Sequence, residues 1–138
     1  MSAFTKAVHD RLAGNSQLAA LLSSYNGSPA IFTAVPIPEN AQLPWIVTEG
    51  VVSDEPWDTK TTTGREIVRD IRCYAIEDGS SAAIELIAER VRELFHLYRF
   101  TITGYGCFDC RASGPLTAPD EDGVIGLIIT IRFIAIKI

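Results

Sequence analysis

Alternation of apolar and polar positions is strongest in the last sixteen residues, Gly123–Ile138, which read GVIGLIITIRFIAIKI. From Ile125 to Phe133 every odd position is apolar, while Gly126, Thr130 and Arg132 mark the other face. High β-branched content and the lack of proline make this the longest predicted strand of the chain. Beyond Phe133 the apolar set moves to Ile134, Ile136 and Ile138, which predicts a bulge or sharp twist near Phe133–Ile134. So apolar a strand must be paired on both sides or covered by another chain.

Earlier segments follow the same logic. Phe4, Ala7, Val8, Arg11 and Leu12 recur at helical spacing, so residues 2–13 are predicted as a helix capped by Ser2 and ended by Gly14. Ser16 is expected to cap a second short helix through Leu18, Leu21 and Leu22, before Asn26–Gly27 closes a turn. Two β-rich pieces follow, Ile31–Val35 and Trp45–Val52, separated by Pro36, Pro38 and Pro44, which exclude a helix there. Ser53–Gly64, SDEPWDTKTTTG, holds almost nothing apolar besides Trp57 and is predicted as a long flexible loop or an extended hairpin. In the strand predicted for Arg65–Ile76, Ile67, Ile71, Cys73 and Ala75 share a face that Arg69 interrupts. The turn Glu77-Asp78-Gly79 leads to a helix capped by Ser80 or Ser81 and running to about His96, with Ala83, Ile84, Ile87, Ala88, Val91, Leu94 and Phe95 as its apolar stripe. Tyr98–Gly104 and Tyr105–Ser113 are strand-like, and GPLTAPDEDG forms a turn before the closing strand.

These elements define an α+β chain forming one domain over residues 1–138. Its mainly antiparallel sheet is expected from Trp45–Val52, Arg65–Ile76, Tyr105–Ser113 and Gly123–Ile138, with an N-terminal helical segment and the Ser81–His96 helix packed on one face.

Charge narrows the function classes. Twelve Lys and Arg against 17 Asp and Glu give a formal charge of −5, which disfavours a protein that tracks nucleic-acid phosphates. Charges within the first eleven residues argue against a signal peptide or anchor, and no apolar run reaches the roughly 18 residues of a membrane span, so no membrane partner is expected. The odd set Cys73, Cys107 and Cys110 fits reduced thiols in a cytosolic setting.

Candidate chemistry is sparse. Cys107-Phe-Asp-Cys110 has the spacing of a redox or zinc pair, but in a strand residues three apart point to opposite faces, and no second pair completes four ligands. His9 and His96 sit on separate helices, with His96 suited to complement a helix C-terminus. Asp120, Glu121 and Asp122 lack the spaced oxygens of a calcium loop, and Gly104 and Gly106 lack the lysine and helix of a phosphate loop. No catalytic residue, metal ligand or cofactor site is assigned. Trp57 stands apart, because a large ring in a polar segment either folds back onto its own domain or anchors a partner.

Taken in order, LAGNSQLAALL (12–22), IFTAVP (31–36), LPWIVTEG (43–50), WDTKT (57–61), the strand before SSAAIELIAERVRELF (80–95) and the closing strand after PDEDG (119–123) resemble the small tail-completion, or tail terminator, proteins of long-tailed phages and phage-like particles. The resemblance spans essentially the whole chain. It implies a non-catalytic, cofactor-free virion protein, assembled in the bacterial cytoplasm and placed at the head-proximal end of the tail. It also implies a ring, most often a hexamer, that caps the tail tube, stops its polymerisation and offers a docking surface to the head. The implied partners are further copies of the chain, the tail tube protein and a head–tail connector, with DNA passing through the lumen without specific binding. Within that frame the subunit or tube interface is expected on the 53–64 segment, with Trp57 as anchor and Asp54, Glu55, Asp58, Lys60 and Thr61 around it. Cys107 and Cys110 depart from the family pattern. A tail tube, head-completion or connector subunit, or a generic adaptor domain, is the alternative reading.

Overall fold

The computed structural model describes residues 2–118 and 123–138. Among these described residues three helices and nine strands follow in order: α1 (Ala3–Ala13), α2 (Ser16–Leu21), β1 (Ser24–Tyr25), β2 (Ser28–Pro29), β3 (Ile31–Phe32), β4 (Trp45–Val47), β5 (Val51–Pro56), β6 (Gly64–Ile76), α3 (Ala82–Phe95), β7 (Tyr105–Cys107), β8 (Arg111–Thr117) and β9 (Val124–Lys137). The fold is α+β with a mainly antiparallel sheet.

Its spine is the β6–β9 ladder, antiparallel and in unbroken register from Gly64 opposite Ile136 to Ile76 opposite Val124. β4 and β5 lie end to end along the other side of β6, β7 and β8 along the other side of β9, and β3 adds in parallel beside β4. Both long strands are therefore interior, as the apolar closing strand requires. The expected bulge at Phe133–Ile134 is absent. Burial continues on odd positions through Ile129, Ile131, Phe133 and Ala135, so Ile134 and Ile136 lie on the opposite face of a regular strand. Their apolarity reflects shielding by neighbours on that face, not a change of phase.

Bulges occur in the flanking strands instead, between Val51 and Ser53 and between Ser113 and Leu116. Two predicted strands are divided. Trp45–Val52 breaks at Thr48–Gly50 into β4 and β5, and Tyr105–Ser113 breaks at Phe108–Cys110 into β7 and β8. At the second break the Phe108 N–H still donates to the Ile134 carbonyl at 2.9 Å, so the chain steps along β9 without leaving it. Tyr98–Gly104 contributes only a bridge from Ile102 to Tyr105.

The three helices cover one face. α3 turns Ile84, Ile87, Ala88, Val91, Leu94 and Phe95 onto the odd-numbered side of β6 and β9, and α1 adds Phe4, Val8 and Leu12. Ser2 caps α1 by accepting from the Thr5 N–H at 3.1 Å. Asn15, rather than Ser16, caps α2, its Oδ1 accepting from the Leu18 N–H at 2.8 Å. Ser80 Oγ accepts from the Ala82 N–H at 3.3 Å at the start of α3. At the far end His96 Nδ1 accepts from the Ala112 N–H at 3.2 Å, tying α3 to β8 instead of complementing the helix dipole. Asn26 and Gly27, both at positive φ (50° and 80°), close the small β1–β2 hairpin.

Arg69 is the exception within the apolar face. Its side chain is 4% exposed, and burial pulls its pKa down. Nη1 donates to Thr5 Oγ1 at 3.0 Å and Nη2 to the Thr48 carbonyl at 3.2 Å, which joins the first turn of α1 to the β4–β5 break.

Ile87, 1% exposed, sits at the centre of the α3 contact, and a charge there is buried without a partner at a cost of several kcal/mol. Ile87→Asp is expected to abolish cooperative unfolding in circular dichroism melts. Leu86→Asp, at a position 60% exposed one residue away, should melt within a few degrees of the parent.

Candidate functional site

The sheet face opposite the helices carries the even positions Glu66, Val68, Asp70, Arg72, Tyr74 and Ile76 of β6, beside Ile128, Thr130, Arg132, Ile134 and Ile136 of β9. The 53–64 segment stands at one end of it. Ser53–Pro56 extends β5 in register with Arg65–Val68, so the segment is the extended hairpin rather than the flexible loop. Its tip orders itself through backbone bonds from Trp57 N to Gly64 O at 2.8 Å and from Thr59 N to Thr62 O at 2.9 Å. Asp58 Oδ1 accepts from the Gly64 N–H at 3.1 Å, and Thr59 Oγ1 accepts from the Thr62 N–H at 3.1 Å. The low apolar content that predicted disorder is offset by turn-forming Asp and Thr side chains that supply these bonds.

Arg65 makes a two-pronged ion pair with Asp54, its Nε donating to Oδ1 at 2.9 Å and its Nη2 to Oδ2. The same guanidinium lies 4.5 Å from the Phe4 ring centroid, so the hairpin root is fastened to α1. The bond from Arg65, against a smaller opposing effect of burial, holds the Asp54 carboxyl below its usual range. Asp54, Pro56, Asp58, Thr63, Gly64 and Arg65 line an open depression of about 470 Å³ beneath the hairpin.

Trp57 is 36% exposed and meets the Phe108 ring edge-on at 6.0 Å between centroids. It rests on Gly64, where an added Cβ would fall 2.6 Å from the Trp57 carbonyl oxygen and 3.4 Å from its ring. Glu55 stands opposite Glu66, which is paired with Arg132 at 3.0 Å, while Lys60 and Thr61 are exposed at the tip. Asp54, Glu55, Trp57, Asp58, Lys60 and Thr61 thus share one hairpin, with Asp54 turned into an ion pair at its root. Phe108, 47% exposed, is the partner that the sequence did not single out. It is distant from Trp57 in the chain and joins it only because β7 pairs with the end of β9.

The thiols are far from nucleophilic. Burial pushes Cys73 and Cys110 each up to about 12, and raises Cys107 as well. Among the described residues no His, Cys, Asp and Glu side chains gather in threes around a metal-sized space. His9 faces Asp10 at 3.5 Å on α1, and Asp120, Glu121 and Asp122 lie outside the described residues.

Helices on one face of a mainly antiparallel sheet, with a polar hairpin extending its β5–β6 pair, define an α+β protein. Solved structures share that architecture. A chain from the virion of a native gene transfer agent particle superposes with a TM-score of 0.79 at 16% identity, covering 96% of this chain and 93% of the other. A second solved chain matches with a TM-score of 0.61 at 12% identity over 100% and 97% of the two. No curated protein matches the sequence significantly. The family described as tail completion protein gp17 matches residues 6–135, and the chain belongs to that family of phage tail structural proteins.

Because the Asp54 carboxyl is held low in the folded state, the pair contributes stability above the ordinary carboxylate pKa of about 3.9 and loses it as pH falls through the lowered folded value. Both side chains are about a third exposed, so the effect is small. Amide exchange at Trp57 and Thr62 should quicken, relative to core amides of β9, on acidification below about pH 4, and Asp54→Asn should show that faster exchange already at neutral pH.

Proposed function

We propose that residues 1–138 act as one tail-terminator domain that assembles into a ring, most simply a hexamer, on the end of the finished tail tube. The ring stops tube polymerisation and presents its opposite surface to the head–tail connector. It acts as a structural component at the head-proximal end of the tail, assembled in the bacterial cytoplasm, without catalysis or a cofactor. The observation that carries this reading is the family match over residues 6–135. A terminator must hold the tube end more tightly than the next tube subunit does, and a closed ring meets that need by adding several equivalent modest contacts. The net charge of −5 is compatible with a lumen through which DNA passes without adhering.

Within the ring the hairpin is the working contact with a neighbouring subunit or the tube. Trp57 is its anchor, and Asp54, Glu55, Asp58, Lys60 and Thr61 form its polar rim. A stiff hairpin with an aromatic already held against Phe108 loses little conformational freedom on docking, which favours such a role.

The isolated protein is expected to be monomeric or weakly associated at micromolar concentration, with rings forming on tube ends, as electron microscopy with and without purified tubes can show. Trp57→Ala gives up an edge contact worth about 0.5–1.5 kcal/mol. It should therefore lower the melting temperature by only a few degrees while producing tails of uncontrolled length or heads without tails. A Trp57→Ala monomer that no longer folds would make the ring a core support and move the interface elsewhere.

A further inference from the structure

The end of the open sheet face remote from Trp57 carries a cleft of about 240 Å³, walled by Val35, Trp45, Val47, Tyr74, Val124 and Arg72. Its edge is apolar, since Val35 is 54% exposed and Ile76, paired with Val124, is 61% exposed. Arg72 is unusual within it. Its Nε is buried with no hydrogen-bond partner, and among the described residues the guanidinium forms no ion pair. Because Nε is closed to solvent, a carboxylate entering the cleft would meet the half-buried guanidinium at its Nη donors, where a charge-assisted bond is strong. The cleft therefore suits a branched apolar side chain carried next to an acidic one.

The chain itself exposes such a segment. Val51 and Val52 are 55% and 57% exposed on the open edge of β5, with the exposed acids Glu49 and Glu55 on either side. Groove and knob are adjacent, because Val47 pairs with Arg72 and a Cβ on Gly50 would lie 3.7 Å from Arg72 Nη2. A knob and a groove side by side on one edge can satisfy each other in two copies related by a twofold axis, each filling the other's groove.

We propose that this edge is a twofold contact between two copies of the chain, in which Val51 or Val52 of one copy enters the cleft of the other and Glu49 meets Arg72. The contact lies beside the root of the hairpin, uses neither Trp57 nor the hairpin tip, and does not rest on the ring. Sedimentation velocity of the full chain over a concentration series reads it directly. The parent should show a reversible dimer at high concentration. Arg72→Glu and Glu49→Arg should each weaken association by about tenfold or more, and the double variant should restore most of it. Trp57→Ala should leave this dimer unchanged while impairing tail-length control, so failure here and failure of the terminator reading are distinguishable. A chain monomeric throughout the series, or a charge exchange that does not restore pairing in variants with parent-like circular dichroism, overturns the proposal. Binding of the parent cleft to purified tail tubes that is lost in Arg72→Glu, with no dimer formed, overturns it in favour of the tube as occupant.

Discussion

Everything else in the molecule is positioned by the β6–β9 ladder. Two interior strands in continuous antiparallel register fix which side chains face the helices, and a shift of one residue would exchange the two faces entirely. Odd positions deliver Ile67, Ile71, Cys73, Ile129, Ile131 and Phe133 to α1 and α3. Even positions are thereby committed to the open face, along with the ends that β5 and β7 extend. The Trp57–Phe108 pair is a consequence of that register, since each aromatic is brought there by a short strand docked on one member of the ladder.

Glycine sets how closely side chains lie on the open face. Trp57 covers Gly64 at one end, and Tyr74 covers Gly126 at the other, where a Cβ would fall 2.7 Å from the Tyr74 ring. Each ring occupies space that a side chain on the glycine would otherwise fill. Ile134 and Ile136 on that face are only half-buried. The face also has a polar middle, where Thr130 donates to Asp70 at 2.7 Å and Arg132 pairs with Glu66, between two apolar ends.

Much of the fold was legible from period alone. The α3 stripe, the α1 cap at Ser2, both long strands and the one-sided helix layer follow from spacings that local physics enforces. The failures have identifiable causes. Ile134 and Ile136 looked like a change of phase because sequence alternation cannot distinguish a bulge from a second, partly shielded face. Asn15 and Ser16 are both good caps, and the structure puts Asn15 at the N-cap. The breaks at Thr48–Gly50 and Phe108–Cys110 fall partway along β6 and β9, where the long strand runs on unbroken, so they are interruptions of the flanking strand alone that the apolar pattern does not mark. The residues expected at the interface share one hairpin because they are contiguous in the chain. Phe108 was missed because its contact depends on pairing at long range, which a sequence without its register does not display.

Arg69 shows why local rules and function need not coincide. It breaks the apolar face of β6, yet it is buried and spans from Thr5 on α1 to Thr48 at the β4–β5 break, using donors that an aliphatic residue lacks. Burial of an unpaired guanidinium opposes stability, so its use here is better understood as fixing a geometry than as strengthening a core. What it fixes is the break between β4 and β5, and hence where the second of them starts along β6. Arg65 acts similarly two pleat repeats away, holding Asp54 while lying against Phe4 of α1. Two arginines on one strand thus couple the N-terminal helix to both ends of β5. The hairpin is therefore held twice, at its root by this helix-side anchoring and at its tip by the Asp58 and Thr59 hydrogen bonds that stand in for apolar contact.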